Sequence, residues 1–109
     1  MEAAHEADLA CRAQDETRAR HLFFDAFQWE REAARSIKLE LEPTRSILCR
    51  SAASLALDCD LPGEALELVR LARLGEPPTP IATELDGIER RSHQLPGRPS
   101  PPRVLVSAL

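Results

Sequence analysis

Apolar residues recur along this chain at helical spacing, and five segments emerge from that pattern. The clearest runs Ala19, Leu22, Phe23, Ala26, Phe27, Ala33, Ala34, Ile37 and Leu41, an i, i+3, i+4, i+7 stripe interrupted by Glu30. No Gly or Pro falls within it before Pro43, so a helix is predicted from about Thr17 to Leu41, stopping ahead of the proline. Residues 3–14 precede it with a weaker face of Ala3, Ala7, Ala10 and Cys11. The polar words Gln14-Asp15-Glu16-Thr17 separate the two segments without a breaker, and Asp15 or Thr17 is a candidate N-cap.

A third segment, about 45–59, opens behind Thr44 as candidate cap and carries Leu48, Ala52, Leu55 and Cys59, with Cys49, Ala53 and Ala56 beside them. Asp58-Cys59-Asp60-Leu61-Pro62-Gly63 turns the chain, with Pro62 suited to a first helical turn. The fourth segment, about 62–74, aligns Ala65, Leu68, Val69 and Ala72, and Gly75 stands where a left-handed C-terminal cap is expected. Glu67 and Arg70 are spaced to pair on its outer side. Thr79-Pro80 begins a fifth segment, about 80–93, with Ile81, Leu85 and Ile88 in register. Gly87 weakens it by about 1 kcal/mol relative to Ala. Beyond His93 the prolines lean towards polyproline, and residues 95–109 are expected to form a disordered tail after a helical domain of residues 1–94.

The expected fold is therefore all-α, about five helices arranged as antiparallel hairpins. The turn between the third and fourth segments is too short for any but an antiparallel pair. Small inner residues let such a pair approach closely: Ala52, Ala53 and Ala56 are expected to face Ala65 and Ala72, while Leu48, Leu55, Leu68 and Val69 fill the core on either side.

The hairpin of the third and fourth segments resembles one tetratricopeptide repeat (TPR), a unit of about 34 residues. The family's small position falls on Ala53, the alanine opening its second helix on Ala65, the larger apolar residue on Val69, the next alanine on Ala72 and the closing proline on Pro77. The pattern departs from the family at Cys49, Ala52 and Ala56. Ala19, Phe23 and Ala26 repeat the spacing of Ala65, Val69 and Ala72 at a distance of 46 residues. The words Glu42-Pro43-Thr44-Arg45-Ser46 and Arg50-Ser51-Ala52-Ala53 also look like small bacterial TPR-like proteins. The resemblance implies a short solenoid that acts as a protein–protein interaction module, with the last helix as its cap. A partner peptide or helix would then lie in a groove lined by the first helix of each hairpin. Arg45, Arg50, Ser54 and Asp58 are assigned to the polar side of the third segment as contacts for it. Phe24 and Trp29 stand off the main stripe, so they either pack on a neighbouring helix or form an exposed aromatic partner site.

Composition narrows the function. The 109 residues suffice for one domain and carry a net charge of −4. The basic footprint of a nucleic-acid binder is missing, since Arg18, Arg20, Arg31 and Arg35 are offset by Glu16, Asp25, Glu30 and Glu32. Catalysis is not expected: His5, His21 and His93 sit in no zinc spacing, glycines do not cluster, and nothing places Cys49 or Cys59 beside His21 as nucleophile and base. Neither metal nor cofactor is expected. Cys11, Cys49 and Cys59 read as small buried hydrophobes rather than a disulfide framework. With no apolar run of membrane-spanning length and no basic leader, no membrane role and a cytoplasmic location are expected. Two alternatives to the adaptor are a self-associating protein, its long helix pairing with its own copy as a homodimer, and a small antitoxin-like inhibitor of a neighbouring gene product.

Overall fold

A computed structural model describes the backbone of residues 2–96 and the side chains of residues 12–96. Over this range the chain is all-helical, in four helices: α1 (Glu2–Ser36), α2 (Thr44–Asp58), α3 (Pro62–Arg73) and α4 (Thr79–Gln94). Four replace the expected five because the first two segments run together. Asp15 and Thr17 lie inside α1, and the Thr17 hydroxyl donates to the carbonyl of Ala13 at 3.0 Å, one turn back, rather than capping a new helix. The tail expected over 95–109 is described only at Leu95 and Pro96, which leave α4 exposed, Leu95 in an extended conformation. Its remainder lies outside the described residues, as does the Cys11 side chain.

Helix α1 ends at Ser36 rather than Leu41, and one acid explains the early stop. Residues 37–43 form turns, and Glu42 faces back onto the structure on either side of it. Its carboxylate accepts the Ser46 N–H at 3.0 Å, the Ser46 hydroxyl, and the Glu76 N–H at 3.2 Å. Glu42 thus satisfies an orphan donor in the first turn of α2, a role expected of Thr44, and ties that turn to the loop after α3.

The α2–α3 turn ends in a Schellman arrangement. Leu61 N–H reaches the Ala56 carbonyl at 2.8 Å and Asp60 N–H the Leu57 carbonyl at 3.0 Å. The left-handed position, φ 59°, is occupied by Asp60 instead of glycine. Pro62 then opens α3 in its first turn, as expected.

Helices α2 and α3 pack antiparallel, for the start of α2 meets the end of α3 through Arg45 and the carbonyls of Leu71 and Ala72. Between them Ala52, Ala53, Ala56, Ala65 and Ala72 are completely enclosed, with Cys49, Leu68 and Val69. Leu48 and Leu55 are half-buried against this core, and Ile81, Leu85 and Ile88 of α4 complete it. Helix α1 lies along α2 and contributes Phe27 and Ala34. Helix α4 touches both α2 and α3. Ion pairs bridge the seams: Arg31–Glu64 at 3.6 Å and Arg35–Glu67 at 3.8 Å join α1 to α3, while Arg73 joins α3 to Asp86 (2.7 Å) and Glu89 (2.6 Å) of α4.

Candidate partner-binding groove

The polar side of α2 faces α4 across an open groove of about 530 Å³, lined by Arg50, Ser51, Ser54, Leu55, Glu84, Gly87, Ile88 and Arg91. Two of the four α2 residues expected to meet a partner, Arg50 and Ser54, are therefore in it. Arg50 pairs with Glu84 across the groove at 3.1 Å. Leu55 and Ile88 give it an apolar floor, and Arg91 adds a second cation one turn beyond. Arg50, Ser51, Ser54 and Leu55 of α2 thus share one groove with Glu84, Gly87, Ile88 and Arg91 of α4.

Gly87 also lines the groove, a place that its cost to the helix does not reveal. It reads as a local weakness of the last helix, yet a Cβ at that position would meet only the Arg90 guanidinium, at an ordinary 3.8 Å. Its φ is not left-handed, so neither packing nor backbone geometry requires a glycine there. What the missing side chain does is open the groove wall. Ser51, Glu84, Ile88 and Arg91 were also missed, because their participation depends on how α4 is placed, which the spacing within α2 does not reveal.

The other two α2 candidates lie elsewhere. Arg45 does not sit on the polar side: its side chain is 3% exposed. Nη2 donates to the Leu71 carbonyl at 2.6 Å and Nη1 reaches the Ala72 carbonyl at 3.5 Å. It thus gives a second donor to carbonyls that already accept the Leu74 and Gly75 N–H groups, at the C-terminus of α3, where the helix dipole favours a cation. Arg45 is an internal clasp. Gly75 serves it: the residue lacks the left-handed φ expected of a cap, and a Cβ there would come within 2.9 Å of Arg45 Nη1. Asp58 is exposed and lines a different cavity, of about 330 Å³, with Thr17, Arg20, His21, Phe24, Cys59 and Asp60.

That second cavity has both His21 and Cys59 in its lining. Its electrostatics oppose nucleophilic chemistry. Burial pushes the Cys59 thiol up, and the neighbouring carboxylates of Asp58 and Asp60 push it further. Cys49 is raised too, first by burial; Arg45 works against that shift and Glu42 adds to it. Among the described residues, no group of three or more His, Cys, Asp and Glu side chains could hold a metal ion. Nor is any described helix long and apolar enough to cross a membrane.

The two aromatics divide. Phe24 is half-buried, packs against the core and forms a tilted pair with Phe27, centroids 6.2 Å apart. Arg31 sits over the Phe27 ring at 4.9 Å and continues to Glu64. Trp29, 78% exposed, points away from the body on the outer side of α1. Phe24 and Trp29 therefore do not form one patch.

Comparison with known proteins returns no match, whether against family models, curated proteins or solved structures.

Proposed function

We propose that this chain is a non-catalytic interaction module, TPR-like in organisation, that takes an extended or helical peptide in the α2–α4 groove. The observation that carries the reading is Gly87. A mid-helix glycine costs about 1 kcal/mol relative to alanine, and among the described residues neither a close contact nor a left-handed backbone angle requires it. It falls on the wall of the groove that also holds Arg50 and Ser54. A backbone can approach closely over such a position. The neighbouring groups suit a peptide: Ser51 and Ser54 to carbonyls and amides, Leu55 and Ile88 to an apolar side chain, Arg50 and Arg91 to carboxylates. Glu84 already holds Arg50, so an acidic ligand group would compete for that guanidinium. The packing order is compatible with a solenoid: α1 stands as the second helix of an incomplete repeat, α2 and α3 form one hairpin, and α4 covers the exposed end.

The test is a peptide-display selection on the wild-type chain, with the selected peptides then measured on three variants. Filling the groove with Gly87→Phe and reversing Arg50→Glu should each weaken binding at least roughly tenfold, the loss of about 1.4 kcal/mol. Trp29→Ala should leave it unchanged. Peptides that bind Gly87→Phe as tightly as wild type would eliminate the groove as the site.

A further inference from the structure

Helix α1 spans 35 residues, about 52 Å at 1.5 Å per residue, whereas the 15 residues of α2 beside it reach only about 22 Å. Its body-facing side consists of Arg20, Phe24, Phe27, Arg31 and Ala34. A second apolar stripe lies about 140° round the helix at 100° per residue: Ala19, Leu22, Ala26, Trp29 and Ala33, with Phe23 at its edge. Leu22 is 62% exposed, Phe23 46%, and Ala33 is open to solvent as well. No other described helix covers this stripe.

We propose that the stripe is a self-recognition surface, and that a second copy of this chain covers it as an antiparallel α1–α1 pair. The charges flanking it argue for this occupant. On one rim stand Arg18 and Asp25, nearly aligned along the helix; on the other stand Arg12 and Glu30, five turns apart at the same angle. A two-fold axis near residues 21 and 22 leaves each rim facing itself with the chain direction reversed. That single register sets Arg18 against Asp25 of the other copy and, within one residue, Arg12 against Glu30. Four oppositely charged contacts form in the symmetric pair, and like charges do not meet on these rims. In the same register Leu22 falls on Leu22 at the axis, and Ala19 falls beside Phe23. The overlap over residues 12–31 is about 30 Å long. Such a contact is isologous and closes at two copies. It uses no residue of the α2–α4 groove, so it holds or fails independently of peptide binding.

Sedimentation equilibrium of the full-length chain across the micromolar range tests the proposal. Wild type should approach twice the monomer mass as concentration rises. Leu22→Asp should stay at monomer mass while keeping the wild-type helix content by circular dichroism, since this side chain is mostly in solvent in the single copy. Arg18→Glu and Asp25→Arg should each weaken the dimer by roughly tenfold, because two ion pairs become two repulsions. Combining them should restore wild-type dimerisation to within about threefold. A wild-type chain that remains a monomer throughout overturns the proposal. So does a dimer indifferent to Leu22→Asp, or one that the double reversal fails to rescue.

Discussion

The α2–α3 hairpin and the outer side of α1 are both rows of small and apolar residues at helical spacing, but they end in opposite environments. In the hairpin, Ala52, Ala53, Ala56, Ala65 and Ala72 lose all contact with water. On α1, Leu22 and Trp29 stay largely in it. The difference lies in what surrounds each row. A three-residue reversal (59–61) stabilised at Asp60 folds α3 back onto α2, so the hairpin's stripe receives a neighbour from the same chain. Helix α1 packs mainly on α2 and reaches α3 through Arg31 and Arg35; this side takes Phe27 and Ala34 and leaves the other open. Helical periodicity marks a face that wants covering; it does not say whether the cover comes from the same molecule.

The largest expected contrast between the regions comes from the clasp that closes the hairpin. Arg45→Ala removes a buried side chain with its two charge-assisted bonds, leaves a cavity, and leaves the Leu71 and Ala72 carbonyls with only the Leu74 and Gly75 N–H donors. It should cost about 3 kcal/mol, lowering the melting temperature by roughly 12 °C or more for a domain of this size. Trp29→Ala on α1 should change monomer stability by less than about 0.5 kcal/mol. Comparable melting of the two variants would mean that Arg45 is not structural.

Overpacking comes next. Ala53→Leu or Ala65→Leu inserts three carbons where no exposure remains, and should cost about 1–3 kcal/mol in denaturant unfolding. Ala33→Leu, on the open side of α1, should be nearly neutral in the monomer. Unaltered stability of Ala53→Leu would be incompatible with close α2–α3 packing.

Much of this architecture was legible in the residues. The α2–α3 hairpin, its turn and its alanine contact follow from local pattern and chain reversal, which are short-range effects. The fusion of the first two segments was less legible, because Gln14-Asp15-Glu16-Thr17 is polar but contains no residue that forbids helix. Arg45 was misread for an instructive reason. At intervals of four, three and four, Arg45, Cys49, Ala52 and Ala56 form one row, so Arg45 continues the buried stripe by its own spacing. Its charge suggested solvent, whereas the end of α3 supplied the carbonyls that make burial tolerable. The same long-range ignorance hid the α4 half of the groove and gave Gly75 the wrong job. Capping roles went to Thr44 and Thr79 by residue type, but the N-cap positions of α2 and α4 are Pro43 and Pro78, and neither makes a side-chain cap bond.

A smaller effect tests the turn that sets the two regions apart. Asp60 holds a left-handed conformation that glycine adopts without steric penalty. Asp60→Gly should therefore stabilise the hairpin by about 0.5–1 kcal/mol, without altering the exposed side of α1. A second readout follows from the same substitution. Asp60 is one of the two carboxylates that, after burial itself, hold the Cys59 thiol above its ordinary range. Its removal should bring that thiol down and raise the rate of Cys59 alkylation at mildly alkaline pH, with Cys11 and Cys49 replaced by Ser and Ala so that one thiol reports. A loss of stability would indicate that the Asp60 side chain does something at the turn beyond tolerating its backbone angle.

The smallest effect is a pH dependence at the α3–α4 seam, far from both stripes. The hydrogen bond from Arg73 is the main reason the Glu89 carboxyl sits below its ordinary value; the Arg73 and His93 charges assist, while desolvation and Asp86 oppose. A carboxyl held lower in the folded than in the unfolded chain adds stability above its unfolded pKa, and that increment disappears as pH falls through the depressed folded value. Glu89→Gln should therefore be slightly less stable than wild type at neutral pH, and the two should converge as the solution is acidified below the ordinary carboxylate range. The group is open to solvent, so the gap should shrink with added salt. Equal stabilities at neutral pH and low salt would show that the Arg73 bridge contributes nothing to docking α4. The groove would then depend on the Ile81, Leu85 and Ile88 contacts and the Arg50–Glu84 pair to hold its second wall.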